Sequence, residues 1–165
     1  MSSGTLILGL GNPILGDDGV GWKVAEAVQV LTARREPPVE VDFAALGGLT
    51  LMERILGYSY VILIDCLETG TDPIGTVKTL TLAELSNPNA GHSASAHDTS
   101  LLTALETART MGAGVPQRVD VVAIEARMTY EFSEQLSPEI AAAVPIATQH
   151  VLALLDRPAG PLPAA

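Results

Sequence analysis

The sequence predicts an α/β protein, a three-layer αβα sandwich in which a mostly parallel twisted sheet is flanked by helices. Apolar runs of strand length alternate with segments of helical period, which is typical of this architecture. One run, Tyr60 to Asp65, is continuously apolar up to its final acid, as expected of a central parallel strand covered on both faces. The 165 residues suffice for one domain with its own core. We expect that domain over residues 1–156, followed by a loose proline-rich tail at 157–165.

The first half of the chain alternates strand and helix patterns. Thr5 to Leu10 is an apolar run that predicts a buried strand. Val20 to Leu31 carries apolar residues three and four positions apart, which predicts a helix with one apolar face. Val39 to Ala45 resembles a second strand, and Leu51 to Leu56 predicts a short helix before the central strand.

A strand and a helix follow the central strand. Thr76 to Leu82 predicts an edge strand, because polar residues alternate with apolar ones. Leu101 to Met111 predicts a helix, capped by Asp98 or Thr99 and stopped at Gly112.

The chain closes with one more strand and one more helix. Val119 to Ile124 is an apolar run that predicts a strand. Ser137 is suited to cap a last helix, with Pro138 in the first helical position, where a missing N–H costs nothing.

Composition and charge exclude some functions. The net charge is −10 and no cluster of lysine or arginine is visible, which disfavours a nucleic-acid partner. The single cysteine, Cys66, excludes an intrachain disulfide framework and an all-cysteine metal cluster. No apolar run approaches the length of a membrane span, and the N-terminus lacks the basic and apolar regions of a signal peptide. We therefore expect a cytoplasmic protein with no membrane partner.

The glycine-rich loop after the first strand is the first candidate site, because parallel sheets bind ligands at the carboxyl ends of their strands. It does not fit a dinucleotide fingerprint, since Ile14 stands where the third glycine belongs, nor a P-loop, since Asp17 follows Gly16 where lysine is required. One of Asp17 and Asp18 could simply cap the following helix, which would leave the other for a ligand.

The other candidate residues come from the central strand and from a long polar loop. Asp65 closes an apolar strand, where a carboxylate needs a cation, hydrogen bonds or water. Cys66 should point to the opposite face of the sheet, which favours a buried, inert thiol. His92 and His97 lie in the polar loop, and His97 directly precedes a predicted helix. Two carboxylates and an imidazole would suit a borderline divalent metal ion.

The segment from Leu8 to Gly21, LGLGNPILGDDGVG, resembles the opening of the nickel-iron hydrogenase maturation endopeptidases. The resemblance continues in the same order over nearly the whole chain, at Gly47-Gly48, Ile64-Asp65, Ser95-Ala96-His97 with Leu101, Val121 to Glu125 and Leu136 to Ile140.

The resemblance implies an endopeptidase, aspartic-type in family classification, whose metal-contacting and catalytic residues are Asp18, Asp65 and His97. It implies that the nickel is supplied by the substrate, the precursor of a nickel-iron hydrogenase large subunit, whose C-terminal extension is removed after nickel insertion. Hydrolysis would use a metal-polarised carbonyl or an activated water, with Asp18 or Asp65 as base. We expect the protein to act as a monomer. The chain departs from many relatives at Leu46, where they carry an acid before the glycine pair.

Two other functions share some of these features. Peptidyl-tRNA hydrolase also opens with a strand and Gly-Leu-Gly-Asn-Pro, but it needs basic residues and an early histidine that this chain lacks. A non-catalytic nickel-binding docking module for hydrogenase assembly would need the same ligands without turnover.

Overall fold

The computed structural model describes residues 4–45, 47–85, 96–129 and 131–157, and for 96–100 the backbone alone. Its five strands are β1 (Thr5–Leu10), β2 (Val39–Ala44), β3 (Tyr60–Leu67), β4 (Val77–Thr81) and β5 (Arg118–Glu125). The helices described are α1 (Val20–Thr32), α2 (Gly48–Ile55), α3 (Leu82–Leu85), α4 (Ala96–Thr110) and α5 (Pro138–Asp156), with a 3-10 turn at Gly16–Gly19 before α1.

The strands form one mixed sheet in the order β2-β1-β3-β5-β4, and only β4 runs antiparallel, at the edge. The predicted α/β sandwich with a mostly parallel sheet is therefore confirmed, as is the edge position of the fourth strand. The chain winds from β1 outward to β2 and then crosses back to β3 on the other side of β1. The connection that leaves β1 therefore leads toward one edge of the sheet, and the connection that leaves β3 leads toward the other. This divergence creates a crevice at the carboxyl ends of these two strands.

Helices cover both faces of the sheet with separate apolar cores. On one face α1 and α5 pack together, and the core there includes Val24, Ile64 and Ile140. On the other face α2 and α4 pack together over residues such as Leu8 and Leu63. Alternate residues of β1 and β3 serve opposite cores, which is why both strands are apolar almost throughout.

The start of α1 lies directly against the two central strands. A Cβ at Gly21 would stand 2.2 Å from the Leu10 carbonyl oxygen and 2.5 Å from that of Ile64. A Cβ at Gly9 would meet the Gly21 carbonyl oxygen at 2.5 Å. Because these glycines have no side chain, the backbone of α1 packs directly against the backbone of β1 and β3. The loop before α1 is therefore held directly above the crevice between these strands.

Three predicted boundaries differ clearly from the structure. Helix α2 begins at Gly48, three residues before its predicted start at Leu51. The central strand does not end at Asp65 but continues through Leu67, because it pairs with β5 as far as Glu125. Helix α4 begins at Ala96, ahead of the expected caps Asp98 and Thr99, so both residues lie inside its first turn. The end of α4 is as predicted, since Gly112 follows it with a φ of 79°.

Helix α5 is longer and more apolar than the sequence suggested. Ser137 occupies the N-cap position and Pro138 is the first residue, as predicted, but the Ser137 side chain makes no capping hydrogen bond. With 19 residues and a mean hydropathy of 1.3, it could cross a membrane by length and composition alone, contrary to the expectation that no run approaches that length. The core helix of a soluble protein meets the same criterion, and α5 buries Ile140 and Val151 against the sheet and α1. The predicted tail at 157–165 lies outside the described residues, apart from Arg157.

Candidate active site

The loop after β1 is folded back on itself by its own carboxylate. Asp18 Oδ2 accepts a hydrogen bond of 2.7 Å from the backbone N–H of Asn12. The turn is so tight that a Cβ at Gly11, whose φ is 117°, would stand 1.9 Å from the Asp18 carbonyl oxygen. Only glycine is compatible with this conformation and this contact. Asp18 is thereby fixed at the carboxyl end of β1, with its side chain partly exposed.

Asp17 and Asp18 have separate roles, which the sequence could not distinguish. The carboxylate of Asp17 accepts a 2.7 Å hydrogen bond from the backbone N–H of Ser137, at the start of α5. The same two segments meet in a β-bridge between Leu15 and Ser133. Neither acid caps the helix that follows it, because neither the 3-10 turn nor α1 has a side-chain cap. Asp17 therefore ties the loop to α5, and Asp18 faces the crevice.

Asp65 lies beside this loop on β3. Gly9 of β1 pairs with Ile64 of β3, so Asp65 stands one residue beyond the last pair, where β1 ends. Its Oδ1 accepts a 2.9 Å hydrogen bond from the backbone N–H of Cys66, and its side chain is partly exposed. Asp18 and Asp65 thus lie at the same carboxyl edge, as predicted.

Cys66 connects the two acids. Its thiol lies 3.5 Å from Asp18 Oδ1 and its backbone N–H contacts Asp65. The side chain is 5% exposed and belongs to the core of the α1–α5 face, so the predicted buried thiol is confirmed. Burial raises the pKa of the thiol, and the negative charges of Asp65 and Asp18 raise it further. The contact with Asp18 was missed, because periodicity gives the face of a strand but not its neighbours in the next layer.

The three histidines lie in different parts of the protein. His97 is the second residue of α4, and its side chain lies outside the described part of the structure, as does all of His92. The C-terminal end of α4 lies near the start of β3, where the Gly57 N–H donates to the Gly114 carbonyl. Because α4 runs antiparallel to β3 and β5, its first turn lies toward the carboxyl ends of these strands. His150 lies away from this edge, on α5, where its Nδ1 shares a 2.9 Å hydrogen bond with the Thr79 hydroxyl.

Glu125 is a buried acid at the same edge, and in the sequence it stood out only as the last residue of the Val121 to Glu125 motif. It is 5% exposed at the end of β5. Its carboxylate accepts hydrogen bonds from the backbone N–H groups of Thr69 and Gly70 and from the Thr69 hydroxyl, at 2.7 to 2.9 Å. Glu125 therefore shapes the loop that leaves β3. The signal was present, since this acid ends the apolar run of its strand, as Asp65 ends the run from Tyr60.

Among the described side chains, no three histidine, cysteine, aspartate or glutamate residues are grouped so as to hold a metal ion. The two acids at the crevice are therefore an incomplete ligand set in the described part of the chain. Carboxylates of this kind could supply two ligands to a metal carried by another molecule, or a general base for hydrolysis.

Several solved structures with a similar fold are described as hydrogenase maturation enzymes. The hydrogenase maturating endopeptidase HybD from E. coli is 24% identical with a TM-score of 0.69, over 92% of this chain and 91% of that one. The [NiFe] hydrogenase maturation protease HybD from Thermococcus kodakarensis is 20% identical with a TM-score of 0.67, over 92% and 98%. The hydrogenase 2 maturation peptidase from Thaumarchaeota archaeon SCGC_AB-539-E09 is 28% identical with a TM-score of 0.60, over 93% and 99%. At this identity the first two show the fold alone.

A family model identifies the chain more specifically. The model for hydrogenase maturation protease matches residues 23–154, which include Asp65 and His97 and begin after Asp18. Comparison with curated protein sequences finds no match. The chain belongs to the hydrogenase maturation protease family, and it is a hydrolase, a maturation endopeptidase. The family match decides against the peptidyl-tRNA hydrolase alternative.

Proposed function

We propose that this endopeptidase removes the C-terminal extension of a nickel-iron hydrogenase large-subunit precursor, and that it recognises nickel already bound in that precursor through Asp18, Asp65 and His97. The observation that supports this most directly is the meeting of two partly exposed carboxylates at the crevice between β1 and β3, joined through Cys66. Family membership supports the class of substrate.

The donor set suits a nickel ion that belongs to the substrate. Carboxylate oxygens and an imidazole nitrogen are ligands that a borderline divalent ion accepts. The acids are positioned by hydrogen bonds from backbone N–H groups of Asn12 and Cys66, so their orientation does not depend on a bound metal. A precursor without nickel would offer nothing for these groups to bind, and the scissile bond would not be held in place.

Hydrolysis then needs a base and a polarised carbonyl. In our proposal a carboxylate, Asp18 or Asp65, takes a proton from water as the water oxygen bonds to the scissile carbonyl carbon. The carbon–nitrogen bond breaks and the proton passes to the departing amine, which leaves a new carboxyl terminus on the large subunit. This assigns an aspartic-type chemistry to the site, with the substrate's nickel as the recognition element.

Three substitutions test the site. We expect D18N, D65N and H97A each to lower the rate of precursor processing by at least about 100-fold, because each removes either the general base or a group that holds the substrate's nickel. The matched control is D17N in the same loop, which retains an oxygen to accept the Ser137 N–H and should process at nearly the wild-type rate. The readout is cleavage of purified nickel-loaded precursor by electrophoresis and mass spectrometry. Normal processing by all three variants would refute the site assignment.

A second comparison tests recognition of nickel. The wild-type protein is mixed with nickel-loaded and with nickel-free precursor, and we expect cleavage of the loaded form only. Equal cleavage of both forms would contradict nickel recognition. Cleavage of neither, with stable binding of the loaded form, would favour the docking module over the endopeptidase.

A further inference from the structure

Cys66 makes a polar contact with each of the two acids at the crevice. Its backbone N–H donates to Asp65 Oδ1 at 2.9 Å, and its Sγ lies 3.5 Å from Asp18 Oδ1. On its other side Sγ lies 3.7 Å from the sulfur of Met128. A thiol has one proton to donate, and a carboxylate is a far better acceptor than a thioether. The thiol proton therefore belongs to the contact with Asp18.

The surroundings keep this thiol a donor. The side chain is almost fully buried in the core beneath α1 and α5, and both neighbouring acids carry negative charge. The protonated thiol is the ordinary form of cysteine at neutral pH, so its proton is available for the contact with Asp18.

Asp18 is then held through both of its oxygens. The Asn12 N–H donates to Oδ2 and the Cys66 thiol donates to Oδ1. The terminal torsion of an aspartate is broad when nothing restrains it. Two donors on opposite oxygens restrict that torsion and fix the direction of the remaining lone pairs.

We propose that Cys66 is a positioning residue of the active site, whose thiol orients the Asp18 carboxylate and whose backbone N–H orients Asp65. This inference rests on the proposed function of the two acids, and it adds a residue that contacts neither nickel nor the scissile bond. Its contribution is preorganisation, because a carboxylate already oriented loses less freedom when the precursor binds.

Two substitutions separate positioning from packing. C66A removes the side-chain donor, and we expect kcat for nickel-loaded precursor to fall about five- to tenfold with KM unchanged, as for one weak hydrogen bond to a charged group. C66S restores a donor, so its kcat should be at least about threefold above that of C66A. A buried hydroxyl costs desolvation, so C66S should be no more stable than C66A in thermal unfolding. The kcat should therefore be higher in C66S than in C66A, whereas the thermal stability of C66S should not exceed that of C66A.

The control is M128L, which changes the other neighbour of the thiol and leaves both donors to Asp18 in place. It should process at the wild-type rate. Wild-type kcat in C66A, or activity that simply follows stability, would overturn the proposal. So would equal losses in C66A and C66S together with a sulfur-to-nickel charge-transfer absorption in the wild-type complex, since the thiol would then be a ligand.

A measurement without the precursor keeps this inference separate from the proposed function. In protein labelled with ¹³C at the aspartate carboxyl carbons, the Asp18 resonance, assigned through D18N, should shift in C66A and stay unchanged in M128L. An unchanged Asp18 resonance in C66A would overturn the positioning role even if the wild type processes normally. A shifted resonance in a protein that cleaves no precursor would support the contact and refute the function.

Discussion

At the scale of single residues, the acids at the carboxyl edge of the sheet are distinguished by their partners and not by their type. Asp18 accepts from Asn12 inside its own loop, whereas Asp17 accepts from Ser137 on α5. Glu125 is buried and accepts from the loop that leaves β3. Among the acids whose side chains the structure describes, only Asp18 and Asp65 combine partial exposure with a place at the crevice between β1 and β3.

Glu125 provides a prediction about stability. In E125A the half-buried Thr69 and the exposed Gly70 lose the buried carboxylate that accepts from their backbone N–H groups and from the Thr69 hydroxyl, so the free energy of unfolding should fall by about 2 kcal/mol. Urea denaturation followed by Trp22 fluorescence measures this. The control is E134A, an exposed acid, for which we expect a change within about 0.5 kcal/mol. Equal stability of E125A and E134A would show that the buried carboxylate contributes nothing.

Much of the site could be predicted at this scale, and the remainder depended on tertiary contacts. An acid at the end of an apolar run predicts its own place, because the carboxyl ends of parallel strands share one edge. Asp65 lies at that edge, although β3 continues to Leu67. The choice of Asp18 over Asp17 rested on family resemblance, because their partners, Asn12 and Ser137, are six and 120 positions away. The role of His97 remains a prediction.

At the scale of elements, the contact of α1 with β1 and β3 places the loop that carries Asp18. Helix α1 approaches these strands so closely that Gly21 has no room for a side chain. Because the 3-10 turn leads straight into α1, the position of this helix fixes where the Asp18 carboxylate lies. The glycines of the opening motif therefore serve packing as well as the turn.

Gly21 makes this contact testable. In G21A the added Cβ would stand 2.2 Å and 2.5 Å from carbonyl oxygens of the two central strands, which are backbone atoms that cannot move cheaply. We expect a loss of at least about 3 kcal/mol in the free energy of unfolding, measured by urea denaturation. The control is G114A, since a Cβ at Gly114 meets no heavy atom within 4 Å and its φ is not positive. A G21A variant as stable as G114A would refute the close packing.

The sequence predicted the kind of the five strands and of helices α1, α2, α4 and α5 better than their ends, and it missed the short helix α3. Strand β3 runs past Asp65 because pairing with β5 satisfies its backbone for two more residues, a long-range effect that an acid in the sequence does not reveal. Helix α4 begins before its expected caps, because Asp98 and Thr99 are acceptable inside a first turn as well as at its cap.

At the scale of the whole molecule, polar clusters lie at opposite ends of the central strands. The crevice acids stand at the carboxyl edge, whereas Tyr60 and Asp120 lie near the beginnings of β3 and β5. There the Tyr60 hydroxyl donates to Asp120 at 2.7 Å, and Asp120 also pairs with Arg118, whose guanidinium lies over the Tyr60 ring. The second cluster allows the stability of the sheet to be examined without disturbing the site.

This cluster predicts how stability depends on pH. Burial raises the pKa of Tyr60 above its ordinary value of 10.0, and the hydrogen bond to Asp120 and the charge of Asp120 raise it further. Below pH 10.0 the phenol is protonated in both folded and unfolded chains, so its contribution to stability is fully present. Above that pH the unfolded chain releases the proton first, so the free energy of unfolding falls as pH rises toward the folded pKa. Tyr58, whose pKa is raised to about 12, acts in the same direction.

Urea denaturation between pH 8 and pH 12 would measure this dependence. Y60F removes the titrating hydroxyl, so we expect a lower free energy of unfolding at pH 8 but a shallower decline above pH 10.0 than in the wild type. The control is I7V, which trims a fully buried side chain of β1 and should lower the curve without changing its slope. A decline in Y60F as steep as in the wild type would mean that Tyr60 ionises alike in both states, and that the hydrogen bond to Asp120 does not hold its proton. A shallower decline of the free energy of unfolding in Y60F would show that a neutral phenol stabilises the sheet at its amino edge, independently of the acids at the other edge.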